Sequence, residues 1–176
     1  VKVFEVSLPA DQLQLQGALV IPDQASGIVV FVHGSGSSRL SPRNRAVARS
    51  LQASGLAMLL FDLLVHDEAE RDSLTAEYRF DIPLLARRLS CVLDWLSACR
   101  EMSGLAIGLF GASTGAAAAL IVAAARHEVH AVVSRGGRPD LADEALARVE
   151  APTLDCRRPR QGSDRTQSPR VGPDDV

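Results

Sequence analysis

The chain has 176 residues, enough for one domain with a real core, and 47% of them are hydrophobic, which excludes a disordered protein. A net charge of −2 gives no electrostatic reason to expect nucleic acid or an anionic membrane as partner, and the partner expected is a small-molecule substrate. Cys91, Cys99 and Cys156 are too few and wrongly spaced for a disulfide framework or a zinc site, and neither a metal nor a cofactor is expected. The first residues form no signal peptide and no apolar run reaches membrane-spanning length, which points to a cytoplasmic, soluble protein.

In chain order, Val1–Leu8 and Leu13–Val20 alternate as strands do, joined by a short turn. Gly27–Val32 is a continuous apolar run, as in a strand buried on both faces. The loop His33-Gly34-Ser35-Gly36-Ser37-Ser38 follows. Ser41-Pro42 then supplies an N-cap and a first-turn proline for a helix that Gly55 stops. Leu56–Phe61 is a second buried strand ending at Asp62. Val65–Tyr78 is polar and reads as a solvated stretch carrying His66, Asp67 and Glu68. Asp81-Ile82-Pro83 opens a long helix whose Leu85, Leu89, Val92 and Leu96 keep helical spacing. Leu105–Phe110 is a strand, Thr114–Arg126 a helix, Val129–Ser134 a strand and Asp140–Val149 a helix, and one more strand begins at Thr153. Strands alternating with helices imply a mostly parallel sheet with helices on both faces, an α/β fold.

Between two of these elements lies Gly111-Ala112-Ser113-Thr114-Gly115. This G-x-S-x-G in a strand–turn–helix setting is a nucleophile elbow, which lifts a serine hydroxyl to the end of a strand beside a helix N-terminus. A serine is a poor nucleophile unaided, so the elbow calls for a histidine base and a carboxylate. Other readings stay open for each motif. Ser113 serves a tight turn in the bland one, and the serine-rich loop after Val32 also suits a phosphate cradle. His66 suits a metal or a solvated loop, Asp62 suits loop orientation or turn capping, and His127 and His130 flank a strand start as structural residues. Arg135, Gly136 and Gly137 end a strand at the elbow's edge and could contact an acidic or polar substrate.

Three segments in this order resemble the α/β-hydrolase superfamily, and within it the dienelactone hydrolase-like proteins: Val29–Gly36, Leu59–Leu64 and Gly108–Gly115. The resemblance runs from about Val1 to Leu154, and it implies an α/β-hydrolase-type sheet that is incomplete on its C-terminal side. It implies a serine hydrolase forming an acyl-enzyme at Ser113, with backbone N–H groups of Thr114 and Ser35 as oxyanion hole. His33 then shapes the oxyanion loop and is not the base. The dienelactone hydrolases that name the group carry cysteine at the elbow, so dienelactone itself is not implied as substrate. The family's triad runs Ser, Asp, His, yet no histidine follows His130.

Asp155–Val176 changes character, with five Arg, four Asp and three Pro, and reads as a disordered or non-native tail after a 1–154 hydrolase domain. A one-base deletion within codon 154, for a suitably chosen codon series, restores a strand, a Gly-Gly-x-Asp turn and an amphipathic helix. The alternatives to an active hydrolase are a non-catalytic binding or regulatory domain on the same fold and a nucleotide-binding protein using Gly108, Gly111 and Gly115. The second is disfavoured because no G-x-G-x-x-G follows the first strand.

Overall fold

The computed structural model describes residues 1–156. The expectation of a tail from Asp155 onward therefore lies, beyond residue 156, outside the described residues. Seven strands form one sheet in the order β1-β2-β4-β3-β5-β6-β7. They are β1 (Lys2–Ala10), β2 (Leu13–Ile21), β3 (Gly27–Val32), β4 (Ala57–Phe61), β5 (Ala106–Ala112), β6 (Val129–Arg135) and β7 (Thr153–Cys156). β1 and β2 form a hairpin, and β2 joins β4 antiparallel. The pairs β3–β4, β3–β5, β5–β6 and β6–β7 are parallel. β5 runs two residues further than expected, carrying the strand up to the elbow.

Helices cover both faces. α1 (Pro42–Ala53) packs on one side over Phe31, Met58, Leu60 and Phe110. α3 (Ile82–Ala98) and α4 (Thr114–Ala125) pack on the other, over the larger core of Leu8, Leu15, Val30, Leu59 and Leu109. Ser41 caps α1 by accepting from Asn44 N–H at 3.4 Å, and Asp81 caps α3 by accepting from Leu84 N–H at 3.0 Å, both as the sequence signals. Ala116 through Ala119 in α4 are fully buried, so small side chains let this helix lie close against the sheet.

Two segments differ from expectation. The polar stretch after Val65 is helical as α2 (His66–Thr75). Its polarity hides the contacts that fix it: Glu68 accepts from Val65 N–H at 3.1 Å, and Asp72 is buried. The helix expected at Asp140–Val149 is a 3-10 stretch, Pro139–Arg148, broken where Asp143 adopts φ 43° and ψ −128°.

The chain leaves β3 towards β4 on one side, and leaves β5 towards β6 on the other. The carboxyl ends of β3 and β5 therefore flank the point where the winding reverses, which in open α/β sheets opens a crevice for ligands. The loop after Val32 and the turn at Ser113 both lie there.

Candidate active site

Ser113 takes φ 50° and ψ −123°, outside the regions a side-chain-bearing residue adopts freely. The neighbouring glycines explain how the chain tolerates this turn. A Cβ on Gly111 would overlap the Ala116 backbone, and one on Gly115 would overlap the carbonyl oxygens of Val32 and His33. Their role is close approach, since neither has a positive φ. A Cβ on Gly34 would sit 2.8 Å from both the Ala112 carbonyl oxygen and Ser113 Cβ, so the β3 loop lies directly against the elbow.

Thr114 begins α4, 1% exposed, and its Oγ1 lies 3.1 Å from Ser35 Oγ across the crevice. Among the described residues neither the Thr114 N–H nor the Ser35 N–H donates to a protein acceptor. Ser113 Oγ likewise has no hydrogen-bond partner among them. The structure thus brings Ser113, Thr114 and Ser35 to one place.

His33 is buried and fully engaged. Its Nε2 accepts from Leu63 N–H at 2.9 Å, so the neutral ring carries its proton on Nδ1, which donates to the Gly34 carbonyl at 3.0 Å. Burial pushes the imidazole below its ordinary pKa, and the bond to Gly34 and the charge of Asp62 oppose that shift without cancelling it. A histidine locked in this way positions a loop; it has no free nitrogen to serve Ser113. Of the other histidines, only His66 is among the residues lining the adjacent cavity. His66 is exposed and lies 3.2 Å from Glu70, while His130 Nδ1 bonds the Glu128 carbonyl near the start of β6. Among the described residues no cluster of His, Cys, Asp and Glu is placed to hold a metal ion.

Asp62 orients the β3 loop. Its Oδ1 accepts from Arg39 N–H at 2.6 Å and its Oδ2 from Arg39 Nη1 at 2.5 Å. Arg135 turns away from the crevice: Nη2 donates to Asn44 Oδ1 at 2.9 Å and the guanidinium lies 5.5 Å from the Phe110 ring centroid, on the α1 side. Its Nη1 is buried without a partner, and burial together with the charge of Arg43 lowers its pKa. Its backbone is nearer the elbow, since Arg135 O accepts from Ser113 N–H at 3.4 Å. Asp155, on β7, accepts from Ser134 Oγ at 2.9 Å.

Sequence reading missed the scaffold behind the β3 loop. Arg88, 3% exposed, donates from Nη1 to the Leu63 carbonyl and through both Nη groups to the Glu68 carboxylate, all at 2.7 Å. One chain of polar contacts therefore runs from Gly34 through His33, Leu63 and Arg88 to Glu68 and Val65. Burial alone would raise the Glu68 pKa, but the Arg88 guanidinium and the Val65 N–H outweigh it and hold the carboxyl low. A charge three residues after Leu85, within the apolar stripe of α3, was the available signal. Asp72 is a second hub: its Oδ1 accepts from the N–H groups of Tyr78 and Arg79 at 2.8 Å and its Oδ2 from Arg79 Nε at 2.9 Å. These bonds outweigh burial and keep the Asp72 carboxyl below its usual range.

These parts enclose a cavity of about 840 Å³ on the β3-loop side of the elbow. Ser35 and Thr114 line it together with Gln16, Leu63, Val65 and Arg79; Ser113 does not line it, but its neighbours Thr114 and Gly34 do.

No family model matches the chain. The chain is 56% identical to a dienelactone hydrolase of known crystal structure from Anabaena variabilis, with a TM-score of 0.85 over 88% of this chain and 72% of that one. An α/β serine hydrolase homologue from Coxiella burnetii shares the fold at 20% identity and TM-score 0.67, covering 88% of this chain and 72% of that one. A dienelactone hydrolase-like promiscuous phosphotriesterase from metagenomic libraries does so at 20% and 0.69, over 89% and 68%. The elbow, the sheet order and these similarities define an α/β-hydrolase fold. The chain belongs to the dienelactone hydrolase family, a family of hydrolases. It is also 54% identical, over 151 residues, to a Mycobacterium tuberculosis protein provisionally named a phosphoribosyl transferase. That match takes in 85% of this chain, which spans about a third of the length of the curated relatives it matches. Among the described residues no helix is long and apolar enough to cross a membrane.

Proposed function

We propose that the chain carries the nucleophile and oxyanion hole of a serine hydrolase acting on an ester or related carbonyl substrate. The observation that carries this reading is the strained Ser113 at the head of α4, pressed against the β3 loop. Ser113 Oγ attacks the carbonyl carbon and gives up its proton to water. As the tetrahedral intermediate collapses to an acyl-enzyme, the C–O bond to the leaving group breaks and that oxygen takes a proton from water, leaving as the alcohol. The unbonded N–H groups of Thr114 and Ser35 are suited to the oxyanion, whose charge appears only in the transition state. Family membership and the hydrolase neighbours support the class of reaction. The phosphoribosyl transferase name belongs to a protein of which this chain matches a third, and none of the geometry here calls on a phosphoribosyl donor.

Turnover needs a base, and among the described residues no histidine bonds Ser113 Oγ: His33 has both ring nitrogens engaged and His130 bonds the Glu128 carbonyl. The expected behaviour is therefore acylation by activated reagents without efficient deacylation. A fluorophosphonate probe tests it: a stoichiometric adduct on Ser113, absent in Ser113→Ala, is expected. Failure to label the folded protein overturns the reading. It would favour the second one, a binding domain without turnover, for which the unpartnered Ser113 Oγ is the supporting observation. The frameshift reading of the tail belongs to this proposal, and the DNA sequence across codon 154 tests it.

A further inference from the structure

We infer that the cavity beside the oxyanion loop selects an uncharged ester and rejects a carboxylate-bearing one. The inference rests on the reading of Ser113 as nucleophile only for the orientation of the bound ester. Its basis is how the charges around the cavity are already paired.

Two guanidiniums line this space, and each is held by an aspartate that also lines it. Arg39 binds Asp62 through Nη1 and through its own N–H. Arg79 binds Asp72 through Nε and Nη2, the latter to the Asp72 carbonyl. The four charges cancel. His66, at the rim, faces Glu70 on its own helix. A carboxylate entering the cavity would lose hydration and meet no net positive charge. Taking Arg79 for itself would strand Asp72, whose side chain is 5% exposed, without its ion partner. An uncharged ester meets no such obstacle. Leu63, Leu64 and Val65 give it an apolar wall, and Gln14 and Gln16 offer hydrogen bonds without charge.

Nuclear magnetic resonance on the Ser113→Ala protein separates binding from chemistry, because that variant cannot be acylated. Titration with ethyl butyrate and with monoethyl succinate, of similar size and differing by one carboxylate, is followed at the amides of Gln16, Leu63 and Leu64. Ethyl butyrate is expected to shift these amides with a Kd about tenfold lower than monoethyl succinate. Equal or tighter binding of monoethyl succinate, or no shift with either ester, overturns the inference. Adding Asp62→Asn leaves Arg39 only the exposed Glu5 carboxylate, 3.9 Å away, as ion partner and should raise the relative affinity for monoethyl succinate by about tenfold. Adding Arg39→Gln instead leaves Asp62 unpaired and should weaken that ester further. Selectivity unmoved by both substitutions also overturns it. Fluorophosphonate silence with selective binding here would sink the nucleophile reading and leave the cavity assignment standing.

Discussion

The elbow and the α2 cap face each other across one cavity, and opposite forces hold them in place. At the elbow, backbone meets backbone so closely that Gly111 and Gly115 leave no volume for a methyl group. In the cap, α2 is fixed by carboxylates buried against guanidiniums, Glu68 on Arg88 and Asp72 on Arg79. Excluded volume does not depend on pH or salt, whereas buried charge does. The glycine contacts of the elbow are therefore insensitive to pH, whereas α2 and the β3 loop around His33 are held by groups that titrate.

The largest effect should come from the elbow. Gly115→Val places carbon inside the Val32 and His33 carbonyls, where no flexible side chain can yield. A loss of at least about 4 kcal/mol is expected, with no cooperative thermal transition near that of the parent. A variant that melts within a few degrees of the parent would show that the β3 loop is looser than the contact implies.

Breaking the cap comes next. Arg88→Met removes one partner of a buried pair and leaves Glu68 and the Leu63 carbonyl uncompensated. About 3 kcal/mol should be lost in urea unfolding, with the fold retained. Glu68→Gln should cost less, because its side chain is 17% exposed and Gln keeps an acceptor for Arg88.

Acid should separate the two halves by pH window. The folded pKa values of Glu68 and Asp72 lie below their unfolded values, about 4.3 and 3.9. Their stabilisation is present in full above those values and is lost as pH falls through the folded ones. His33 acts earlier. Its folded pKa is below the unfolded value of about 6.5, so the unfolded chain takes up the proton first and stability declines as pH drops from there. The Tm should be level from pH 8 to 7, begin to fall as pH drops below about 6.5, and fall further once it drops below about 4.3. His33→Gln should flatten the first decline and leave the second; an unchanged first decline would assign it to another group.

The smallest effect should be a gain. Ser113→Gly removes the side chain from a backbone conformation that disfavours one, and stability should rise by about 1 kcal/mol in urea unfolding. Loss of stability instead would mean that the Ser113 side chain makes a contact worth more than the strain.

Particular residues show how far sequence reading reached. G-x-S-x-G was legible because close approach admits only glycine, and the caps at Ser41 and Asp81 because they act on their own next turn. The buried strands and their mostly parallel arrangement followed from apolar runs alternating with helical periods, while their order in the sheet came only from the structure. By contrast, α2 read as a solvated stretch because its apolar content is low and its stabilising partners lie elsewhere: Glu68 is 20 residues from Arg88. The break at Asp143 carried no local signal either. Arg135 sits at the expected strand end, and only the fold shows its guanidinium reaching Asn44, 91 residues away.

The sequence by itself determined what short-range sterics and local periodicity control: the elbow, the helix caps, the buried strands and hence the α/β class. The tertiary structure alone decided which charges meet. It locks His33 between Gly34 and Leu63, pairs each arginine of the cavity with an aspartate, and turns Arg135 to the α1 side. Those contacts join residues distant in the chain, and the free energy of a charge depends on what packing places beside it after water has gone.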